Sequence, residues 1–169
     1  MKKLFKVLIF LLLVGISIAL LFIGNGYNMY KEAINSTSLE EKVGEIRAKE
    51  NYAEFSELPQ MYVNAVISVE DKRFFKHNGI DVIAIGRAAI NDIKAMSYVE
   101  GGSTITQKLA KNMYFTQEKK MERKIAEVFM AWKIEDHYSK EEIFELYVNS
   151  IFFGDGYYTV KEAARRIFS

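Results

Sequence analysis

The sequence predicts an all-α protein in which a globular domain follows one N-terminal membrane helix. Three observations lead to this prediction. An uncharged apolar run extends from Val7 to Ile23. In the rest of the 169 residues, apolar side chains recur at spacings of three and four, the period of a helix that buries one face. No segment alternates convincingly between apolar and polar residues, as a half-buried strand would.

The apolar run has the length of a transmembrane helix. Counted back to Leu4 it reaches about 20 residues, and such a helix spans ~30 Å, the thickness of the hydrocarbon core. The lysines within residues 2–6 predict a cytoplasmic N-terminus in the cell membrane and an extracytoplasmic remainder. Ser17-Ile18-Ala19 fits a signal-peptidase site, but the apolar run continues beyond it, which favours an uncleaved signal anchor.

The elements beyond the anchor follow from capping signals. We divide the chain into a cytoplasmic tail (1–6), a signal anchor (7–23), a polar stalk (24–51) and a domain (52–169). Helix starts are predicted at Ser38, Pro59, Asp81, Ser139 and Thr159, and one long helix from Lys119 to Tyr138.

Composition excludes several classes of site. The chain has no cysteine, which excludes disulfides, thiolate-bound metals and a thiol nucleophile. The 23 basic and 22 acidic residues nearly balance, which argues against a nucleic-acid partner. The two histidines lack the spacing of a zinc pair.

Three polar segments are candidates for chemistry, and each has an ordinary alternative. Glu70 lies between an apolar helix and Phe74-Phe75, a setting typical of a general base, although paired acids at a helix end are often only solvated. Gly101-Gly102-Ser103-Thr104 leads into a helix whose N-terminus either binds an anion or is simply capped. Arg123 and Glu127 lie four residues apart, as a site pair or as a weak surface salt bridge.

Taken together, these segments resemble the peptidoglycan glycosyltransferase family in its monofunctional, membrane-anchored form. Five ordered motifs support the resemblance, within residues 70–81, 101–112, 123–135, 138–154 and 156–168. The resemblance implies a lysozyme-like fold and polymerisation of lipid II into β-1,4-linked glycan, with inversion at the donor sugar. The partners it implies are lipid II, the growing strand on undecaprenyl pyrophosphate and the bilayer.

The resemblance also implies roles for individual residues. Glu70 is the base that deprotonates the acceptor hydroxyl, and Glu127 is a second essential carboxylate that orients the site or helps to coordinate a metal. A divalent cation, Mg²⁺ or Mn²⁺, is the cofactor that the family can use. The expected contacts to the substrate and its pyrophosphate are Ser103, Thr104, Gln107, Lys111, Lys119 and Arg123.

The chain departs from the family pattern at three places. Lys108 stands where the second motif usually has glutamine, and Lys119 where close relatives have arginine. The sequence ends at Ser169, so we expect a C-terminally incomplete domain, with cross-linking left to partner transpeptidases. Two other functions stay open, namely an inactive membrane-anchored scaffold that binds lipid II and a lysozyme-like hydrolase.

Overall fold

The computed structural model describes residues 2–97, 99–116, 120–154 and 156–168. Within these ranges the chain is helical and forms no β-strand, which confirms the predicted all-α class. The α-helices are α1 (Lys2–Ser36), α2 (Leu39–Arg47), α3 (Gln60–Glu70), α4 (Val82–Ala95), α5 (Ile105–Tyr114), α6 (Met121–His137), α7 (Lys140–Val148) and α8 (Val160–Phe168). Short 3-10 turns lie at Phe55–Glu57 and Phe74–Lys76.

Helix α1 combines the predicted anchor with a packed extension. Its first two thirds are apolar, exposed on all sides and long enough to cross a membrane. The helix continues through Gly24 and Gly26 without a break and then packs against α6. At Gly26 the contact is so close that a Cβ would lie 2.6 Å from the Cβ of Ile125.

Helices α1 and α6 run parallel. Gly26 contacts Ile125, and Tyr30, one turn further along α1, lies 5.9 Å from the ring of Phe129, one turn further along α6. Tyr27 adds an edge-to-face contact with Phe129 at 5.2 Å. The end of α6 nearest the apolar part of α1 is therefore its N-terminal end.

The core lies where α5, α6 and α7 meet, and fully buried Leu109, Met130 and Phe144 represent the three helices. Leu39, Val43 and Ile46 of α2 belong to the same core, because their spacing places them on one helical face. Part of the segment predicted as a stalk is thus packed into the globular part, while the predicted domain boundaries themselves stay a prediction.

Most helix starts were predicted correctly. Ser38 accepts a hydrogen bond from the Glu41 N–H, and Asp81 accepts from Ile83 and Ala84, each at 3.0 Å. Ser139 forms a reciprocal capping box with Glu142. The long helix begins at Met121 among the described residues, two positions after the predicted start.

Candidate active site

Asp71 joins the end of α3 to the start of α5. Its carboxylate is buried, accepts the Ile105 N–H at 3.0 Å through Oδ2, and lies 3.0 Å from His77 Nε2 through both oxygens. Asp71, the acid next to Glu70, therefore has a structural role, because it fixes the end of α3 against the start of α5. Sequence reasoning assigned no role to Asp71 or His77, and no local spacing could have, because Ile105 is 34 residues away.

Thr104 and Gln107 shape the start of α5. Thr104 Oγ1 accepts the Gln107 N–H at 3.1 Å and donates to the Gly79 carbonyl at 2.7 Å, while the Thr104 N–H donates to Gln107 Oε1 at 3.0 Å. Thr104 is 1% exposed and Gln107 is 3% exposed. The polar atoms predicted to contact substrate are thus engaged in a capping box, and their contact with substrate stays a prediction.

Glu70 is the last residue of α3, and its side chain reaches across to α5. There Oε2 accepts a hydrogen bond from the Lys108 ammonium group in an ion pair. No other hydrogen bond joins the Glu70 side chain to the described residues. The lysine that departs from the family motif thus contacts the expected base directly.

The Glu70 cleft is a polar cavity of about 500 Å³. Glu70, Ser103 and Arg73 line this cavity. Arg87 and Glu100 also line it, and they form an ion pair with an N–O distance of 2.7 Å. Gly102 is required at its wall because a Cβ there would lie 2.9 Å from the Cα of Ile85. The structure therefore brings together two predicted site residues, Glu70 and Ser103, in one cleft.

The phenol group of Tyr147 lies near the Glu70 carboxylate. Burial and the charge of Glu70 both raise the pKa of Tyr147, and burial raises the pKa of Tyr62. Both phenols consequently stay protonated at neutral pH and can act only as hydrogen-bond donors or neutral acceptors.

Glu127 holds two cations at the start of α6. It is fully buried and accepts from Arg123 Nη1 and, at 2.7 Å, from Lys124 Nζ. Because Arg123 is itself largely buried, this pair is not the surface salt bridge that the spacing alone allowed. Glu127 offsets and orients the positive charges, while the helix macrodipole opposes cations at this end of α6.

The remaining predicted cations lie along α5 and at its C-terminal end. Lys111 is three residues beyond Lys108 on the same face, is half-buried, and forms no ion pair with any described residue. Arg123 lines a cavity of about 200 Å³ with Tyr114 and Lys120. Lys119 lies outside the described residues.

Glu70 and Arg123 therefore mark opposite ends of α5. Glu70 contacts Lys108 in the second turn and Arg123 lies beside Tyr114 in the last, a separation of ~9 Å along the helix axis at ~1.5 Å per residue. They line two cavities along one helix, and Lys111 lies on the helix between them.

Among the described residues, a divalent cation does not fit the clustered carboxylates as they are arranged. Oxygens of Asp71 and Asp81 and a nitrogen of His77 converge within 4.8 Å. However, Asp71 is occupied by the Ile105 N–H and His77, and Asp81 by helix-capping N–H groups and Arg73 at 3.0 Å. Both oxygens of Glu127 likewise already accept from cations.

Comparison with known proteins places these residues in a family. Residues 36–169 match the family model described as Transglycosylase. The chain is 47% identical over 120 residues to Penicillin-binding protein 1A of Aquifex aeolicus, covering 71% of this chain and 16% of that protein. It is 38% identical over 167 residues to the Monofunctional glycosyltransferase of Staphylococcus haemolyticus, covering 99% of this chain and 60% of the relative.

A second monofunctional relative, from Staphylococcus epidermidis, is 42% identical over 129 residues. The match covers 75% of this chain and 48% of that protein, so the chain spans about half the length of such relatives. The family match includes the Glu70 cleft, the face of α5 and the Glu127 cation pair. The chain thus belongs to the transglycosylase family, the peptidoglycan glycosyltransferases.

Proposed function

We propose that this protein is a membrane-anchored glycosyltransferase that polymerises lipid II into β-1,4-linked glycan strands. The observation that carries the proposal is the arrangement along α5, with an accessible carboxylate at one end and Arg123 at the other. Between them lies the ammonium group of Lys111, which has no ion-pair partner among the described residues. The donor is the growing strand on undecaprenyl pyrophosphate and the acceptor is lipid II.

In the proposed step, Glu70 removes the proton from the 4-hydroxyl of the acceptor sugar. The oxygen attacks C1 of the donor sugar, the bond from C1 to the pyrophosphate oxygen breaks, and its electron pair leaves with the diphosphate. Because attack and departure occur on opposite faces, the α linkage becomes β. The proton stays on Glu70 until solvent removes it.

The diphosphate needs charge stabilisation more than protonation, because it is already a good leaving group. Lys111 and Arg123 supply that charge, and Glu127 keeps Arg123 oriented before the substrate arrives. Such preorganised charge is worth more in a partly buried site than in water. Lys119 is expected to add a further phosphate contact.

The direction of α6 supports this assignment. With α1 as the anchor, the parallel packing of the two helices directs the start of α6, and hence Arg123, towards the bilayer. Helix α5 runs antiparallel to α6, since Thr106 near its start bonds Glu135 near the end of α6 at 2.5 Å. Glu70 is then further from the lipid, as a sugar attached to a membrane-bound diphosphate requires.

The proposed location is the cell membrane, with the N-terminus in the cytoplasm and the domain outside. Anchoring confines the enzyme to the surface in which both lipid-linked substrates diffuse, which raises their effective concentration. Transpeptidases of the cell-wall machinery are the proposed partners for cross-linking the product.

The test is polymerisation of purified lipid II by the detergent-solubilised full chain, with products separated by size on gels. We expect Glu70→Gln to lower the rate at least ~100-fold, since the amide cannot accept the proton. Glu41→Gln is the matched control, because Glu41 is exposed on α2.

Undiminished polymerisation by Glu70→Gln would remove Glu70 from the role of base. Binding of lipid II without any turnover by the wild-type chain would overturn the enzyme proposal in favour of a scaffold. Cleavage of finished peptidoglycan would instead indicate a hydrolase.

A further inference from the structure

Lys108 contacts the expected base, although the family motif usually has an amide side chain there. Among the described residues, Oε2 of Glu70 is the one acceptor that the Lys108 ammonium group binds. Oε1 has no hydrogen-bond partner among the described residues, so it remains available to accept a proton from a hydroxyl group.

The backbones on both sides of this contact are fixed. Asp71 ties the end of α3 to the Ile105 N–H, and the Lys108 N–H donates to the Thr104 carbonyl at 3.0 Å in the first turn of α5. The side chain of Glu70, in contrast, has rotatable bonds and no other polar contact within the described ranges. Its orientation in the cleft therefore depends on Lys108.

We infer that Lys108 is a positioning residue that holds Oε2 of Glu70, so that Oε1 points into the cleft towards the acceptor hydroxyl. This inference rests on the proposed function. The ammonium group keeps its own protons throughout and only donates a hydrogen bond. Misplacement of a reacting group by about 1 Å can lower a rate by about 100-fold, so orientation alone has a measurable effect.

Folding is not expected to depend on the contact. The side chain of Lys108 is 29% exposed and that of Glu70 36% exposed, so the pair resembles surface ion pairs, which contribute little to the stability of a fold. Loss of activity on substitution can therefore be separated from loss of structure.

The experiment compares Lys108→Met with Lys108→Gln in the full chain, by steady-state polymerisation of lipid II. The two side chains are similar in size, but only glutamine can donate a hydrogen bond to Oε2. We expect Lys108→Met to lower kcat about 10- to 100-fold with KM within about twofold of wild type. Lys108→Gln and Lys108→Arg should keep kcat within about threefold of wild type, because both retain a donor.

Lys42→Met is the matched control, because Lys42 forms an ion pair with Glu45 three residues away, and the two side chains are 25% and 56% exposed. Thermal unfolding of each variant checks that the fold is retained. A raised KM with unchanged kcat in Lys108→Met would show that Lys108 binds substrate and would overturn the inference. Wild-type kcat in Lys108→Met, or equal losses in the methionine and glutamine variants, would also overturn it.

These outcomes are distinct from failure of the proposed function. If the wild-type chain does not polymerise lipid II, the proposed function fails and the inference fails with it. If the wild-type chain is active and Lys108→Met is equally active, only the inference fails.

Discussion

At the scale of single residues, most charged side chains of the candidate site form ion pairs with one another, whereas Lys111 forms none with the described residues. Glu127 binds Arg123 and Lys124, Glu70 binds Lys108, and Arg87 binds Glu100. The Lys111 ammonium group, in contrast, has no ion-pair partner among the described residues. An unpaired cation on a half-buried helix face is available for an anionic ligand without first breaking a protein contact.

Lys111→Met should therefore impair activity without affecting stability. We expect kcat/KM for lipid II to fall at least ~10-fold, because one charge on the leaving diphosphate is lost. The thermal unfolding midpoint should not change, since the substitution breaks no ion pair with a described residue. Lys94→Met on exposed α4 is the control, and equal activities of the two variants would contradict the role of Lys111.

At the scale of elements, the caps decide where the site-bearing helices begin. Asp81 starts α4, which supplies one wall of the Glu70 cleft, and Thr104 starts α5. Burial alone would raise the pKa of Asp81, but the N–H groups of Ala84 and Ile83 and the charge of Arg73 outweigh it and hold the pKa below its ordinary 3.8.

This lowered pKa gives a pH-dependent contribution to stability. Because the folded-state pKa lies below the unfolded one, the carboxylate stabilises the fold above about pH 3.8, and the contribution is lost as the pH falls through the folded-state value. Asp81→Asn should thus be less stable than wild type near neutral pH by about 0.5–1 kcal/mol, the scale of a charge at a helix N-terminus.

Circular dichroism melts of the full chain in detergent, from about pH 7 to about pH 3, measure this difference. The gap between the two unfolding midpoints should narrow as the pH falls below about 3.8. A gap of constant size across the whole range would contradict the prediction.

Local signals predicted the elements better than they predicted contacts between elements. The caps at Ser38, Asp81 and Ser139 act within four residues and were visible as patterns. The continuity of α1 was not visible as a pattern, because Gly24 and Gly26 each lower helix propensity by about 1 kcal/mol. At Gly26 the packing against α6 offsets this cost. Local propensity therefore fails where tertiary contact decides.

In the candidate site, too, local spacing was predictable from the sequence, whereas burial and contacts between helices were not. The spacing of Arg123 and Glu127 predicts a shared face, but the burial of Glu127 depends on the helices that pack against α6. The contact of Glu70 with Lys108 joins residues 38 positions apart, so no periodicity could indicate it. Likewise, the spacing of Thr104 and Gln107 can indicate the capping box that they form, but it cannot indicate that both side chains are buried.

At the scale of the whole molecule, the anchor helix and the domain form one packed unit. Gly26, Tyr27 and Tyr30 of α1 contact α6, and α2 continues from α1 into the core. The cation pair of Glu127 lies on the helix that receives this contact. A substitution that disturbs the packing of α1 against α6 should consequently lower both the stability and the activity of the protein.

Gly26→Ala tests the packing of α1 against α6. The added Cβ would lie 2.6 Å from Ile125 and 2.9 Å from the Glu122 carbonyl, so α1 must shift, at a cost of about 1–3 kcal/mol. Gly24→Ala is the matched control, since nothing lies within 4 Å of its Cβ. Thermal unfolding and polymerisation in liposomes should be impaired in the first variant alone; equal midpoints for Gly26→Ala and wild type would contradict this.

The unbroken course of α1 also restricts how the molecule moves at the surface. A single helix in fluid lipid can spin about the membrane normal and diffuse sideways, but it has no joint at which the attached domain could rise or tilt independently. The elevation of the reacting groups above the headgroups then depends on the length and tilt of the helix, and each residue added or removed before Gly26 changes that length by ~1.5 Å.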